Sequence, residues 1–491
     1  IEINEVPVLR DPLDDVEVDP HPAPILTPDQ ELIWNKILAA FSNKEPSPFL
    51  LHGVTGSGKT EIYLRAVEEI LQEGKQAIIL VPEIALTPQT VSRFMSRFPG
   101  IVGVLHSELS PGERYDTWRL ARIGLIKIIV GPRSALFTPF PDPGLIVIDE
   151  CHDDSYYQGD LSPRYHAVSS AIDYATITGA VCILGSATPN ISTTFKCKQG
   201  RFQYLSLPER ILAHKKTIQD QLSLASDEPE RDRYSDLTDE LQMTSLPEVD
   251  VVDMREELRK GNRSIFSAVL QEALKDRLNR NQQAILFLNR RGSASYVFCR
   301  DCGYAVRCPR CEISLTAHRS DSSLRCHHCG YKRNIPQKCP ECGGDRIRHL
   351  GTGTEQVESS LQKLFPGIRT IRWDRDTTRK KGAHWKIMDG FSKHKADVLI
   401  GTQMLAKGLD LPLVTLVGVV LADTSLHLPD YRASERTFQV LTQVAGRAGR
   451  SPLGGQVILQ TFDPDHYVIQ AAASHDYQEF YDQEIEFRQE L

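Results

Sequence analysis

The sequence predicts an α/β protein made of two units of parallel sheet covered by helices, with a cysteine-rich metal module set inside the second unit. Three observations predict it. Strand-like apolar runs alternate with helical patterns twice along the chain, as parallel sheets require. Gly53-Val54-Thr55-Gly56-Ser57-Gly58-Lys59-Thr60 fits the phosphate-loop pattern G-x-x-x-x-G-K-[ST]. Eight of the 11 cysteines fall into four CxxC pairs.

The 491 residues are enough for about three domains. Hydrophobic content of 41% and charged content of 25% are those of an ordinary globular protein. Mean hydropathy is −0.30, and no apolar run approaches the roughly 20 residues of a membrane helix, so no membrane partner is expected; the cytoplasmic location expected goes with the family resemblance drawn from the motifs. No stretch at the start resembles a signal peptide. The chain begins at Ile1 in polar sequence carrying Pro7, Pro12, Pro20, Pro22 and Pro24. Residues 1–24 are therefore expected to be a linker or the trailing edge of a missing domain, and the chain a fragment. A net charge of −7 excludes a surface coated in basic charge but leaves room for a local basic cleft. Cysteines clustered in this way favour metal over disulfides.

Residues 25–208 read as the first α/β unit. Leu26-Thr27-Pro28-Asp29-Gln30 caps its first helix, and the Gln30 amide is placed to read an adenine edge, the bland alternative being a surface glutamine. Phe49-Leu50-Leu51 reads as a buried strand leading into the phosphate loop, and Glu61 through Val67 as the helix that follows. Further strands are expected at 77–81, 126–130, 145–148 and 181–184. Residues 209–262 read as a connector, and within it 219–240 hold eight acids against two arginines, an exposed and mobile insertion in this reading. The second unit is expected at 263–298 and 343–462, with strands at 284–288, 397–400 and 413–417. Residues 299–342, the metal module, interrupt it, and 463–491 resemble the start of a further, truncated domain.

The chemistry follows from the same stretches. In a phosphate loop, backbone N–H groups close around phosphate oxygens, Lys59 reaches the outer phosphates and the Thr60 hydroxyl holds Mg²⁺. Leu145 through Ile148 run into Asp149-Glu150-Cys151-His152, placing two carboxylates at a strand's carboxyl end, where open α/β sheets bind ligands. Asp149 is expected to hold Mg²⁺ and Glu150 to activate the attacking water; Cys151 carries no chemistry. Gln443 through Arg450 supply Arg447 and Arg450, three apart on one helix face, as cations for the phosphoryl transition state if the two units face each other across ATP. Gly185-Ser186-Ala187-Thr188-Pro189 is suited to sense γ-phosphate loss. Gly401 through Asp410 is suited to contact both a nucleic-acid backbone and ribose.

Cys299, Cys302, Cys308, Cys311, Cys326, Cys329, Cys339 and Cys342 have the spacing of structural zinc knuckles, and eight thiolates imply two Zn²⁺ ions. Spacing leaves the pairing open. In a nested arrangement, Cys299, Cys302, Cys339 and Cys342 hold one ion and Cys308, Cys311, Cys326 and Cys329 the other. Iron–sulfur binding is a minor alternative. His327 and His328 are surplus to the ligand count.

In this order, the motifs resemble those of the superfamily 2 helicases of the DExH type. The cysteine module inside the second unit, preceded by Ile285 through Gly292 and followed by Gly351-Thr352-Gly353-Thr354-Glu355-Gln356 and Asp374 through Thr378, narrows the resemblance to the primosomal replication-restart helicases of bacteria. The resemblance implies two RecA-like lobes and an ATP-dependent, DNA-stimulated 3′-to-5′ DNA helicase. Such an enzyme acts on stalled forks and D-loops and begins primosome assembly for reloading the replicative helicase. It implies ATP, Mg²⁺ and two Zn²⁺ as cofactors. The implied partners are DNA, other primosome proteins, single-stranded-DNA-binding protein and the replicative helicase loader. Gln30, residues 53–60, Asp149, Glu150 and Asp410 become the nucleotide set; Lys59, Asp149, Glu150, Gln443, Arg447 and Arg450 become the catalytic set. Pro82, Thr87, Arg133, Thr402 and Gln403 become DNA contacts. Ser155 through His166 resemble an aromatic-rich loop that couples DNA binding to hydrolysis, with Tyr156, Tyr157, Arg164, Tyr165 and His166 as its DNA-facing residues. Cys151 stands where that family usually has Glu. Two rival readings remain, a duplex translocase with the same ATPase and a zinc-dependent assembly platform.

Overall fold

Strands apolar on both faces need helices on both faces, and this requirement organises the chain. The structure, a computed structural model, describes residues 10–13, 18–20, 22–43, 47–83, 86, 88–214, 234–236, 241–244, 246–289, 295–311, 314–318, 323–349, 353–374, 376–378, 383–406, 411, 413–426, 428, 430–448 and 453–490. They fall into two units, one ending at Ile211 and the other beginning at Leu212.

The strands of unit one are β1 (Phe49–Gly53), β2 (Gln76–Leu80), β3 (Val102–Val104), β4 (Ile128–Gly131), β5 (Pro143–Ile148), β6 (Tyr157–Gln158), β7 (Tyr165–His166), β8 (Val181–Ser186) and β9 (Gln203–Leu207). Among the described residues, seven of them form one parallel sheet in the order β3-β4-β2-β5-β8-β1-β9, and β6 and β7 form a small antiparallel hairpin. Alternation sorts each strand's residues between two cores. Ala77, Ile79, Leu145 and Val147 enter the layer that holds the Lys59–Gln72 helix, whereas Ile78, Leu80, Ile146 and Ile148 enter the opposite layer. Both faces being apolar, no period of two shows in the sequence. The short β3 and the half-polar β9 escape recognition there for lack of a long apolar run.

Beyond β9 come β10 (Ile211–His214), β11 (Tyr234–Asp236) and β12 (Leu241–Thr244), with β11 and β12 paired antiparallel. Most of the acidic stretch 219–240 lies outside the described residues, so its expected mobility is not addressed by them. Unit two holds β13 (Glu248–Asp253), β14 (Gln283–Leu288), the module strands β15 (Ser295–Cys299), β16 (Thr316–His318), β17 (Ser323–Arg325), β18 (Lys332–Asn334) and β19 (Ile347–His349), then β20 (Thr370–Trp373), β21 (Val398–Gly401), β22 (Val414–Leu421) and β23 (Gln456–Thr461). Its main sheet runs β13-β23-β22-β14-β21-β20, all parallel. The module is a separate antiparallel sheet, β18-β17-β16-β15-β19, inserted between β14 and β20.

Two segments extend the second unit's packing. Glu248–Asp253 belongs to the second sheet as edge strand β13, ahead of residue 263; alternating acids on a half-buried edge hide it from an apolar-run criterion. Residues 463–490 pack against the second unit. The helices Tyr467–Ala473 and Tyr477–Glu490 pack onto the Ala433–Ala448 helix, where Phe438 and Phe480 stack with centroids 4.2 Å apart and Arg488 pairs with buried Glu435 at 2.8 Å.

The Pro111–Arg122 helix opens on a capping box. Ser110 caps the Pro111–Arg122 helix, its hydroxyl accepting the Glu113 N–H at 3.3 Å while the Glu113 carboxylate accepts the Ser110 N–H at 2.7 Å. Ser110→Ala is expected to cost about 0.5–2 kcal/mol, read as a lower denaturant midpoint for unit one with zinc content unchanged.

Candidate nucleotide site and zinc module

The carboxyl ends of β1, β5 and β8 lie side by side, and each carries one of the predicted motifs. After β1 the loop turns through Gly56 and Gly58, at φ 88° and 80°, and Gly58 becomes the N-cap of the Lys59–Gln72 helix. A Cβ on Gly53 would overlap the Ser57 hydroxyl, and one on Gly58 would overlap the Gln30 amide. The loop is pinned by Val54 N–H to the Leu207 carbonyl (3.2 Å) and Ser57 N–H to the Val54 carbonyl (3.0 Å). Lys59, 9% exposed, folds its ammonium back onto the Gly53 carbonyl at 2.6 Å. Val54, Thr55 and Thr60 are half-buried around it. The Ser57 hydroxyl is buried with no hydrogen-bond partner. A loop shaped by glycines, holding a buried ammonium and an unsatisfied hydroxyl, fits a nucleotide's phosphates. Lys59 would hold the phosphates; Thr60 and Asp149 would hold Mg²⁺.

Gln30 is not a surface residue. It is 3% exposed, its amide oxygen accepts the Thr27 N–H (3.0 Å), and its amide nitrogen donates to the Ser57 carbonyl (3.3 Å). It thus ties the first helix to the phosphate loop. Arg210 belongs to no motif; it is 3% exposed, and its side chain lies over Gly56 while the next residue, Ile211, donates its N–H to the Gly56 carbonyl at 3.0 Å.

Asp149 follows β5, its N–H bonded to the Leu80 carbonyl. The Tyr63 hydroxyl donates to its carboxylate at 3.0 Å and the Tyr156 hydroxyl to its main-chain carbonyl at 2.6 Å. Burial, then the adjoining Glu150 charge, pushes the Asp149 carboxyl up to about 6, with Lys59 and the Tyr63 hydrogen bond opposing. Glu150 has φ 47°, a left-handed conformation uncommon outside glycine. His152 reaches the Ser186 hydroxyl at 2.7 Å, and that oxygen accepts the Thr188 N–H at 3.0 Å. The imidazole therefore joins the Asp-Glu strand end to the Gly-Ser-Ala-Thr strand end. On the other side, His52 contacts the Ala187 carbonyl (3.2 Å) and the Tyr204 hydroxyl (2.7 Å); burial and Lys59 lower its pKa to about 4. The sequence motifs assign neither histidine a role.

In unit two, Gln443 and Arg447 lie four apart on the Ala433–Ala448 helix, both buried. Thr402 and Gln403 follow β21 directly, Gln403 opening a short 3-10 turn. Thr87, Asp410 and Arg450 lie outside the described residues.

The aromatic loop is corrected in one respect. Tyr156 is fully buried and packs within the unit-one core, because its hydroxyl is spent on Asp149. Tyr157 and Arg164 are exposed, and Tyr165 and His166 are half-buried, Tyr165 lying edge-on to Phe137 at 5.1 Å. Arg133 donates to the carbonyls of Ser155 (3.1 Å) and Tyr157 (2.8 Å), so it anchors this loop. Pro82 is buried, and its carbonyl accepts the Leu86 N–H.

The cysteines nest. Cys299, Cys302, Cys339 and Cys342 form one group and Cys308, Cys311, Cys326 and Cys329 the other, with the sulfurs of each group within 4.8 Å of one another. Cys299–Cys342, Cys302–Cys339 and Cys308–Cys329 sulfur separations are each 3.6 Å. A tetrahedral zinc with bonds of about 2.3 Å needs sulfurs about 3.8 Å apart, so both groups fit Zn²⁺. In three knuckles a glycine of positive φ follows the second cysteine (Gly303, Gly330, Gly343), and its N–H bonds the first cysteine's carbonyl at 2.9 Å. His328 lies 3.4 Å from the Cys311 sulfur, and His327 is exposed.

Comparison with known proteins follows the same division. The DEAD/DEAH box helicase family matches residues 27–196, the helicase conserved C-terminal domain residues 344–452, and the PriA DNA helicase Cys-rich region residues 308–333. Replication restart protein PriA of Bacillus subtilis is 48% identical over 98% of this chain and 56% of its own length. The chain is similar to PriA proteins over almost its whole length. PriA of Synechocystis is 46% identical (96% of this chain, 53% of its own) and that of Chlamydia pneumoniae 42% (95% and 59%). The chain thus spans little more than half the length of these PriA relatives. RecG, solved bound to a three-way DNA junction, superposes with a TM-score of 0.52 at 15% identity, over 94% of this chain and 46% of its own. That likeness shows a shared two-lobe fold. No helix among the described residues is long and apolar enough to cross a membrane.

Two outcomes are expected. Cys308→Ser should lose one of two zinc ions and melt the module before the lobes; two zinc ions retained per chain, by metal analysis, would contradict the ligand set. Glu150→Gln should keep ATP binding while turnover falls on the order of 10²–10⁴-fold, measured by hydrolysis against binding of a fluorescent ATP analogue.

Proposed function

We propose that the chain is the motor portion of an ATP-dependent DNA helicase of replication restart, moving 3′ to 5′ on stalled forks and D-loops and starting primosome assembly. The observation that carries this reading is the convergence of Lys59, Asp149 and Glu150 at adjoining strand ends within a chain 48% identical to a replication restart protein. Bound ATP with Mg²⁺ supplies the phosphoryl group whose release drives movement. Lys59 binds its phosphates, Glu150 takes the proton of the attacking water, and Gln443, Arg447 and Arg450 supply polar and positive groups during transfer. Asp410 is assigned to ribose.

The strand is held chiefly by phosphate contacts, so sequence preference is low. Thr402, Gln403 and Arg164 are assigned to phosphates and Tyr157 to a base. Tyr165 and His166 support the loop that Arg133 anchors. Pro82 and Thr87 remain candidate DNA contacts. Other primosome proteins, single-stranded-DNA-binding protein and the replicative helicase loader are the proposed partners, in a cytoplasmic, nucleoid-associated setting.

The test is ATP hydrolysis with and without single-stranded DNA, joined to a strand-displacement assay. DNA-stimulated hydrolysis with strand separation is expected. Triplex displacement without strand separation would replace the helicase by a duplex translocase. Tyr157→Ala should weaken DNA stimulation by about 1–3 kcal/mol of stacking while basal hydrolysis holds; equal loss of both would remove Tyr157 from the DNA path.

A further inference from the structure

The phosphate-loop pattern ends at Thr60, yet the same helix carries Tyr63 one turn beyond Lys59, on the same face. Tyr63 is 2% exposed, and its ring sits in the core beneath the loop. A buried phenol needs a hydrogen-bond partner. Here the partner is the Asp149 carboxylate, 3.0 Å away. Facing a carboxylate, the phenol O–H is the donor of this pair.

The room for this contact comes from a third motif. A Cβ on Gly185, the first residue of Gly-Ser-Ala-Thr, would overlap the Tyr63 hydroxyl and come within 3.3 Å of the Asp149 carboxylate. Gly185 is held in register by its own carbonyl, which accepts the Cys151 N–H at 2.9 Å. Asp149 is thereby gripped twice, at its carboxylate by Tyr63 and at its main-chain carbonyl by Tyr156.

We propose that Tyr63 is a positioning residue for the metal-holding carboxylate: its hydroxyl, in space left open by Gly185, fixes the rotamer in which Asp149 meets Mg²⁺. This rests on Asp149 serving Mg²⁺. Without the hydroxyl the carboxylate can rotate, and part of the metal's contribution to nucleotide binding is lost to fixing it again. Gly185 is then a spacing requirement of the metal site, besides whatever its loop does after hydrolysis.

The experiment uses the 491-residue chain with a non-hydrolysed fluorescent ATP analogue, titrated in Mg²⁺ and in EDTA. Tyr63→Phe keeps the ring and removes the hydroxyl. It is expected to weaken binding roughly tenfold in Mg²⁺, the size of a lost hydrogen bond to a charged group. Binding in EDTA and the melting temperature without nucleotide should stay near the parent values. Gly185→Ala should give the same Mg²⁺-specific loss, and adding Tyr63→Phe to it should cost little more, since both remove one contact. Unchanged Mg²⁺ dependence in Tyr63→Phe, or equal weakening in Mg²⁺ and EDTA, overturns the proposal. Asp149→Asn separates the two layers of inference. If it keeps the full Mg²⁺ gain, the metal assignment of Asp149 itself is wrong; if it loses the gain and Tyr63→Phe does not, only the role of Tyr63 is wrong.

Discussion

In a parallel sheet every strand delivers its carboxyl end to the same edge, so what a unit can do depends on which ends the strand order makes neighbours. In unit one the chain leaves β1, passes over the positions later filled by β8 and β5, and lays down β2 beyond them. The two strands inserted afterwards end in Asp149-Glu150 and in Ser186-Ala187-Thr188. A phosphate loop, a carboxylate pair and a hydroxyl-rich turn, far apart in sequence, thereby become adjoining walls of one site. Apolar burial on both faces of the sheet fixes the register, because a one-residue slip would exchange the two cores.

Within that frame, tyrosine, histidine and glutamine do the connecting. Gln30 ties the first helix to the loop, Tyr63 ties the loop's helix to Asp149, and His152 ties the Asp-Glu turn to Ser186. Each link spans two motifs and is at least partly buried, where an unpaired polar group is costly. A change at one strand end therefore strains the next. The left-handed Glu150 sits among these links, held by its neighbours' hydrogen bonds rather than by its own preference. Arg133 serves the aromatic loop in the same way, using its guanidinium on two carbonyls of the chain itself.

The module between β14 and β20 obeys other physics. Its strands are mostly three residues long, and its core is largely the cysteines and a few aliphatic side chains. Such a segment cannot hold itself by burial, so metal–thiolate bonds supply the folding energy. Nesting the knuckles places one group of ligands at the ends of the insertion and the other in its middle, which lets the module form without interrupting the parallel sheet on either side of it.

Local chemistry made much of this legible in the sequence. The phosphate loop, the Asp-Glu strand end and the CxxC pairs each depend on residues close together in the chain, so their spacing alone carries the signal. The long buried strands were equally plain, being uninterrupted apolar runs. The edge strand β13, with acids on every second or third position, and the closing helices that stack Phe480 on Phe438 were not, because their assignment depends on what they pack against. The same holds inside the site. Tyr156 and Tyr157 are neighbours of one residue type, yet one is sealed under Asp149 and the other is exposed. Tyr63, His52 and Arg210 belong to no short pattern, since their partners lie tens of residues or more away. Sequence by itself determined which groups could do the chemistry. Only the tertiary structure decided which of them meet, how the cysteines pair and which aromatics face water, because those outcomes follow from strand order and burial rather than from distance along the chain.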